Sequence, residues 1–559
     1  MEAKRRKLIL KYRGEPLLPS PIAIPSSSRL AKSTHSASVV NARSLPETAP
    51  PISAKDWTFD NVLQQGERFK PVKRISALSP GLEIARAIEQ HEASGEPLII
   101  EGYQKAEKWS KDLFNVDWLI QNHGQKRCSV RNVTTCTDED MTLEEYIGYT
   151  RTSHVEREQL LYYKDADCPS AWRTWVNEKE VIPPSLRPGG ENDLMQHLTQ
   201  QESVESLMCY LGVGDTFTPC HKDLCGSSGH NIMCYTENDG SSFWFLTASS
   251  DAPLVGVFFQ EELHSELDWE QHAVTLEQFA KAPFTVYVAE QKLGDLVLIP
   301  PRSCHQVVNH GGLTIKTSWS RMTVRGLKMA LQRELPIYRR VCRREQYRVK
   351  YIVYRSLLQY TKQLSDLVDD EYTHPLLSIP GVEEMARTLE TVLQLFDSII
   401  YEEFARNHDA LPTIPSDSRQ VSEIFQRRSP SKRKPKPSFA AITVESTSSN
   451  FACDFCGSDI FQSFFECQSC AIPPDETVDR DHDEDEEPAS TLTGDGLIIC
   501  PSCYVEGRTC ACGIMHAAQC RPFSLLINRR NDAAAVLRKL EGDFDKWADL
   551  PTCVFIIPT

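Results

Sequence analysis

The chain has 559 residues, of which 40% are hydrophobic and 9% aromatic, with a formal net charge of −16. This length exceeds what one hydrophobic core serves and predicts several domains. The negative charge argues against indiscriminate coating of nucleic acid. No stretch of about eighteen apolar residues occurs and the N-terminus lacks an apolar signal region, so we expect neither a membrane span nor secretion.

Residues 1–54 are rich in Ser and Pro and poor in large apolar side chains, which predicts disorder. Within them, "KRRKLILKYR" at 4–13 is typical of a nuclear import signal or an acid-seeking arm, and equally of an ordinary solvated basic end.

Residues 55–325 mix helix and strand patterns. "EPLIIEGY" predicts a strand, "NVDWLIQNHG" a short helix ending at Gly, and "TLEEYIGYT" a helix with Thr as N-cap. Six later runs bounded by turn residues predict short strands: "SLMCYLGVG", "SSFWFLT", "LVGVFFQ", "FTVYVAE", "GDLVLIP" and "LTIKTSW". The expected fold class is α+β, built on a jelly roll or barrel.

Residues 326–410 change to a helical period, which predicts a helical hairpin behind the barrel. The first half carries a basic run that would suit phosphate or an acidic surface, although a solvated helix face is the commoner explanation: Arg339, Arg340, Arg343, Arg344, Arg348 and Lys350. Residues 411–450 form a basic linker, with a second nuclear import candidate at 426–439, and residues 451–559 form a Cys-rich module with an acidic insert.

A candidate metal site lies in "TPCHKDLCGSSGHN", residues 218–231. Residues two apart in a strand share a face, so His221 and Asp223 can present an imidazole and a carboxylate to one ion while Lys222 faces away. His305, in "GDLVLIPPRSCHQVVN", can return as a third ligand. Two histidines and one carboxylate suit iron(II). Zinc hydrolases use similar ligands, but no HExxH motif is present.

Several segments together resemble a jumonji C (JmjC) domain over roughly residues 90–325. The quoted runs, with "LLYYKDADCPSAW", "GVGDTFTPCHKD" and "GDLVLIPPRSCHQVVNH", occur in that family's order. The resemblance implies a double-stranded β-helix of the cupin type that binds Fe(II) through His221, Asp223 and His305 and uses 2-oxoglutarate. Around the first ligand the chain is most similar to histone lysine demethylases with HxD and to a related asparaginyl hydroxylase.

The same resemblance places Thr218 and Asn231 beside the co-substrate. The family normally anchors the far carboxylate of 2-oxoglutarate with a Lys before the "FWL"-like strand, where this chain has Ser241 and Ser242. Losing that cation removes a charge-assisted hydrogen bond of roughly 1.5 to 3 kcal/mol. Lys316, on the next predicted strand after His305, is a candidate substitute, and an ordinary exposed strand lysine is the equal alternative.

The resemblance implies a nuclear oxygenase acting on chromatin, with histone lysine demethylation as the leading reaction. A catalytically weak JmjC scaffold and a protein hydroxylase stay open as alternatives. Expected partners are histone tails or other chromatin proteins, with DNA contact through the basic segments and no membrane.

The Cys-rich module contains more candidate ligands than two tetrahedral zinc sites need: Cys453, Cys456, Cys467, Cys470, Cys500, Cys503, Cys510, Cys512, His516 and Cys520. The order permits a crossed arrangement in which the first and third CxxC pairs share one Zn(II). The second pair would then join two of the last four candidates. Such zinc holds together a segment with little core of its own. A purely structural role and an added partner-binding role are both open for the module.

Overall fold

The computed structural model describes residues 52–152, 159–178, 181–200, 202–369, 381–402, 451–467 and 497–541. The predicted basic arm at 4–13, the linker at 411–450, the acidic insert and Cys470 lie outside these ranges. All described residues belong to one compact unit. None of the helices among them has both the length and the apolar character required to cross a bilayer.

The strands are β1 Phe69–Pro71, β2 Lys73–Ser76, β3 Leu98–Glu101, β4 Arg127–Asn132, β5 Thr137–Thr142, β6 Leu161–Asp167, β7 Met208–Gly212, β8 Phe217–Lys222, β9 Ser228–Thr236, β10 Ser241–Leu246, β11 Val286–Gln291, β12 Leu296–Ile299, β13 Cys304–His310, β14 Thr314–Arg321, β15 Ser463–Glu466, β16 Ile498–Ile499 and β17 His516–Gln519.

The helices are α1 Phe59–Leu63, α2 Gly81–Ser94, α3 Val116–His123, α4 Leu143–Thr150, α5 Ser170–Glu178, α6 Ala252–Glu261, α7 Leu276–Ala280, α8 Val324–Met329, α9 Leu335–Val341, α10 Val349–Asp369, α11 Val382–Glu402, α12 Pro501–Val505 and α13 Phe523–Glu541. A π-helical turn, Ala330–Glu334, joins α8 to α9.

Two sheets build the barrel. One has the strand order β1-β11-β10-β13-β8, and the other has the order β2-β3-β12-β9-β14-β7-β6-β4-β5. Their inner faces pack on each other, because one apolar cluster contains Trp244 and Val307 from the first sheet and Ile99 and Val297 from the second. The predicted α+β jelly roll is therefore confirmed, and its inner faces are the surfaces on which a ligand site can form.

The structure confirms the two helices predicted before the barrel core from their capping residues. Asn115 caps α3, and Gly124 follows its last residue. Thr142 caps α4 in a reciprocal arrangement with Glu145, so each side chain satisfies a backbone N–H at the helix start.

The strand predicted for "LVGVFFQ" is wrong, since these residues lie in α6. Pro253 stands in the first turn of that helix, where its fixed backbone angle and missing N–H are tolerated. Val255, Phe258 and Phe259 then repeat at three- and four-residue spacing and are buried on one face. A short apolar run does not distinguish a buried helix from a strand by periodicity alone.

The helical region and the Cys-rich region share one hydrophobic core. Phe461, from the Cys-rich region, is fully buried and makes edge-on ring contacts with Tyr351 of α10 and Phe396 of α11. Helix α13 contributes Leu526 and Leu537 to the same core. The Cys-rich segment therefore stabilises the helices behind the barrel and is stabilised by them.

The basic run of the helical region is engaged within the chain. Its ion pairs are Arg339 with Glu506, Arg340 with Glu266, Arg343 with Glu270, Arg348 with Asp459, and Lys350 with Glu402. Arg348 is buried. Arg340 and Arg344 are exposed, as on a solvated face, whereas Arg343 and Arg348 join the helices to neighbouring segments.

Candidate metal centre and co-substrate pocket

The predicted metal ligands meet where β8 and β13 pair. His221 lies directly opposite His305 in the antiparallel register, and Asp223 follows the end of β8. One ligand atom from each of these residues lies within 4.8 Å of the other two. The two imidazole rings have centroids 4.1 Å apart. Distant parts of the chain thus converge on one point, as the spacing predicted.

Backbone carbonyls fix the tautomers of both histidines. Nδ1 of His221 lies 2.9 Å from the carbonyl oxygen of Pro219, and Nδ1 of His305 lies 3.1 Å from that of Ser303. A carbonyl only accepts, so Nδ1–H donates in each case and Nε2 retains the lone pair that binds a metal. Burial, reinforced by the neighbouring His305, lowers the pKa of His221 well below its usual value, which keeps the ring neutral.

Asp223 supplies the anionic ligand. Its Oδ2 atom is buried and has no hydrogen-bond partner among the described residues. Burial raises the pKa of this carboxyl, against the opposing effect of His305 and Arg343. A buried acceptor without a partner indicates an ion that completes the site. Gly229 on β9 makes room for this carboxylate, because a Cβ there would collide with Oδ2.

The donor set fits iron(II). Two neutral imidazoles and one carboxylate on one side of an ion leave other coordination positions open for a co-substrate and dioxygen. The residues present therefore match the Fe(II) implied by the sequence.

Lys316 contacts one of the serines that stand where the family resemblance places a Lys. It extends from β14, in one sheet, to the hydroxyl of Ser242 on β10, in the other, at 2.9 Å. Its Nζ also donates to Oδ1 of Asn309 at 2.6 Å. Ser242 is one of the two serines found where the family has its anchoring Lys. An ammonium group from another strand therefore contacts one of the residues that replace the usual Lys.

The environment of Lys316 is neutral. The residue is 1% exposed, and its hydrogen-bond partners among the described residues carry no charge. Burial lowers its pKa from 10.5 to about 7. A buried amine without a counter-ion is costly unless a ligand provides the negative charge, so this site favours a carboxylate.

Thr218 and Asn231 lie on strands of different sheets, β8 and β9. Thr218 lies on β8 opposite Val307, and its side chain hydrogen-bonds the Tyr162 hydroxyl. Asn231 lies on β9, where its Oδ1 accepts from Nε2 of Gln291 at 3.1 Å.

Sequence reasoning missed several residues around this pocket. Trp244 stacks on the His305 ring, with centroids 5.9 Å apart and 21° between planes, and its indole N–H donates to Gln291. Asn309 holds Lys316 and accepts a hydrogen bond from Ser242. Asn309 was open to prediction, because it lies four residues after His305 on the same strand and hence on the same face.

Comparison with known proteins agrees with this geometry. Residues 208–320, which carry the three ligands and Lys316, match the family described as "JmjC domain, hydroxylase". The chain contains a JmjC domain.

A distant homologue of this JmjC protein is "C-module-binding factor A" of Dictyostelium discoideum. The two are 28% identical over 384 residues, which is 67% of this chain and 36% of the relative. The chain thus spans little more than a third of the length of the relative that it matches.

The Cys-rich region of the JmjC protein forms two clusters. Cys453, Cys456, Cys500 and Cys503 have their sulfur atoms within 4.8 Å of one another, the crossed pairing that the order of the CxxC motifs permits. A three-stranded sheet, β16-β15-β17, lies in this region and brings the segments together. Four thiolates at this spacing are compatible with a tetrahedral zinc site.

The second cluster contains Cys467, Cys510 and Cys512. Its expected fourth ligand, Cys470, lies outside the described residues. Among the described residues, His516 and Cys520 are not part of either cluster, and the Cys520 thiol lies 3.9 Å from the Ile460 carbonyl oxygen. Cys470, His516 and Cys520 stay candidates for the fourth ligand of the second zinc site.

Proposed function

We propose that this JmjC protein is a nuclear Fe(II)- and 2-oxoglutarate-dependent dioxygenase that demethylates histone lysines. The observation that carries the proposal is the buried, unpartnered Oδ2 of Asp223 facing two imidazoles whose Nε2 atoms are left for a metal. A metal ion would satisfy this buried carboxylate oxygen and bind both imidazoles.

His221, Asp223 and His305 would hold the iron. When bound with 2-oxoglutarate and dioxygen, iron supplies oxidation of a substrate C–H bond while 2-oxoglutarate becomes succinate and carbon dioxide. The protein's task is to place one carbon beside the metal. Hydroxylation of an N-methyl carbon gives a hemiaminal that breaks down to formaldehyde and the demethylated amine, whereas hydroxylation of another carbon leaves a stable alcohol.

Lys316 supports retained co-substrate binding. Its buried ammonium can pair with the far carboxylate of 2-oxoglutarate, and Thr218 lies on the strand that carries His221. This arrangement favours an enzyme over the alternative of a scaffold that has lost its co-substrate.

Demethylation is proposed ahead of plain hydroxylation because the segment around His221 resembles that of histone lysine demethylases with HxD.

Nuclear location and chromatin binding rest on the sequence. The basic segments at 4–13 and 426–439 have the composition of import signals. The relative's name describes a C-module-binding factor, and we propose that the zinc clusters and basic segments of this chain likewise bring it to a partner, namely histone tails or DNA.

The test is turnover of methylated histone peptides by the full chain with Fe(II) and 2-oxoglutarate. We expect the wild-type chain to produce formaldehyde and succinate in equal amounts. The Asp223→Ala variant should produce neither. A mass gain of one oxygen atom without formaldehyde would establish a protein hydroxylase instead. If the chain does not bind 2-oxoglutarate at concentrations up to millimolar, the result would favour the alternative of a catalytically inactive scaffold.

A further inference from the structure

A buried ion-pair network lies behind the metal ligands. Lys222 stands between His221 and Asp223 but points away from them and is 3% exposed. Its Nζ lies 2.7 Å from Oε2 of Glu334 and 3.2 Å from Oδ1 of Asp268. The strand segment that carries two ligands is therefore fixed from its other side by carboxylates.

The same glutamate holds the segment that carries the third ligand. Arg302, three residues before His305, donates from Nε to Oε1 of Glu334 at 2.7 Å. Its backbone has φ of +66°, a conformation that residues other than glycine seldom adopt. Glu334 is fully buried, so each of its oxygens binds one cation and water does not compete.

Glu334 ends the π-helical turn that joins α8 to α9. One turn later, the Tyr338 hydroxyl accepts a hydrogen bond from the backbone N–H of Cys225 at 2.9 Å. The helical segment after the barrel thus contacts both sides of the metal site. Wide turns of this kind occur often at functional sites.

We propose that Glu334 is a positioning residue for the metal centre, setting the separation of the His221–Asp223 segment from His305 by binding Lys222 and Arg302 at once. The inference rests on the proposed function of the site. It makes the helical region part of the metal centre, because a residue outside the barrel sheets fixes the geometry of ligands within them.

Metal affinity of the full chain separates this role from ordinary stabilisation. Mn(II), which does not turn over, is titrated and the free ion is followed by electron paramagnetic resonance, with Asp223→Ala as the blank. We expect Glu334→Gln to weaken Mn(II) binding by about tenfold to a hundredfold and to change the spectrum of the bound ion, as loss of supporting contacts does at other metal sites.

The matched control is Glu202→Gln. Glu202 is equally buried and pairs with Arg355 at 2.7 Å, away from the metal ligands. Both variants should lower the unfolding temperature, but only Glu334→Gln should lower Mn(II) affinity. Should Glu334→Gln fail to fold, Arg302→Met removes one half of the contact and is expected to weaken Mn(II) binding by a smaller factor.

Wild-type affinity in a folded Glu334→Gln protein would overturn the proposal, as would wild-type affinity in Arg302→Met if only that variant folds. An equal loss of Mn(II) affinity in Glu202→Gln would also overturn the proposal, because disruption of any buried ion pair would then have the same effect on metal binding. Failure of the wild-type chain to bind Mn(II) would overturn the proposed function itself together with this inference.

Discussion

Replacing Lys316 with Met tests how this JmjC protein binds 2-oxoglutarate. The substitution shortens the side chain by one atom and removes its charge. Asn309 keeps hydrogen bonds from Ser242 at 2.8 Å and Thr314 at 3.2 Å, so the pocket retains its polar contacts. Stability should not fall, since the variant no longer buries an ammonium group without a counter-ion.

Two magnitudes follow from the structure. Loss of a charge-assisted hydrogen bond of about 1.5 to 3 kcal/mol weakens 2-oxoglutarate binding by roughly tenfold to a hundredfold. Because the pKa of Lys316 is lowered to about 7, the ammonium form predominates below that pH and is lost above it. About 90% is charged at pH 6 and about 3% at pH 8.5, so wild-type affinity should fall roughly 7-fold to 20-fold between them if the uncharged amine binds tenfold to a hundredfold more weakly.

The assay is calorimetric titration of 2-oxoglutarate into the Mn(II)-loaded chain at both pH values. Lys292→Met is the control, because that lysine is 66% exposed and lies on the surface. Lys316→Met should bind weakly at pH 6 and show little further loss at pH 8.5. Unchanged affinity in Lys316→Met, or wild-type affinity that does not depend on pH, would refute the assignment of Lys316 as the anchor.

Further predictions concern the metal ligands, the glycine behind them and the zinc clusters. Asp223→Ala should abolish both Mn(II) binding, measured by electron paramagnetic resonance, and turnover. Retention of either property would show that Asp223 is not a metal ligand. Gly229→Ala should weaken Mn(II) binding at least tenfold, since its methyl group meets the Asp223 carboxylate, while Gly256→Ala, which has open space around it, should not. Cys453→Ser should lower the unfolding temperature of the helical region, because the Cys-rich and helical segments share a core. Unfolding is followed by circular dichroism, with Cys136→Ser as the control. A decrease no larger than that of Cys136→Ser would contradict this prediction.

Much of the barrel was predictable because its strands are short apolar runs separated by turn residues. The ligands were predictable because a period of two places His221 and Asp223 together, and the strand and turn before His305 allow that residue to return beside them. The helix at 252–261 was not, since an apolar run of that length fits either period.

Contacts between distant strands limited what the sequence predicted of the pocket. Lys316 was a candidate from its spacing alone, but its contact with Ser242 depends on two sheets facing each other. Glu334 likewise forms ion pairs with Lys222 and Arg302, which lie 112 and 32 residues before it in the chain. No local sequence pattern predicts these pairs. Such contacts follow from tertiary packing and not from propensity.

The most direct test of the central claim is a crystal structure of the chain with Mn(II) and 2-oxoglutarate, with the metal located by anomalous scattering. We predict a peak within bonding distance of His221, Asp223 and His305, and the far carboxylate of 2-oxoglutarate against Lys316. A metal bound elsewhere, or an imidazole of His305 turned away from it, would contradict the account.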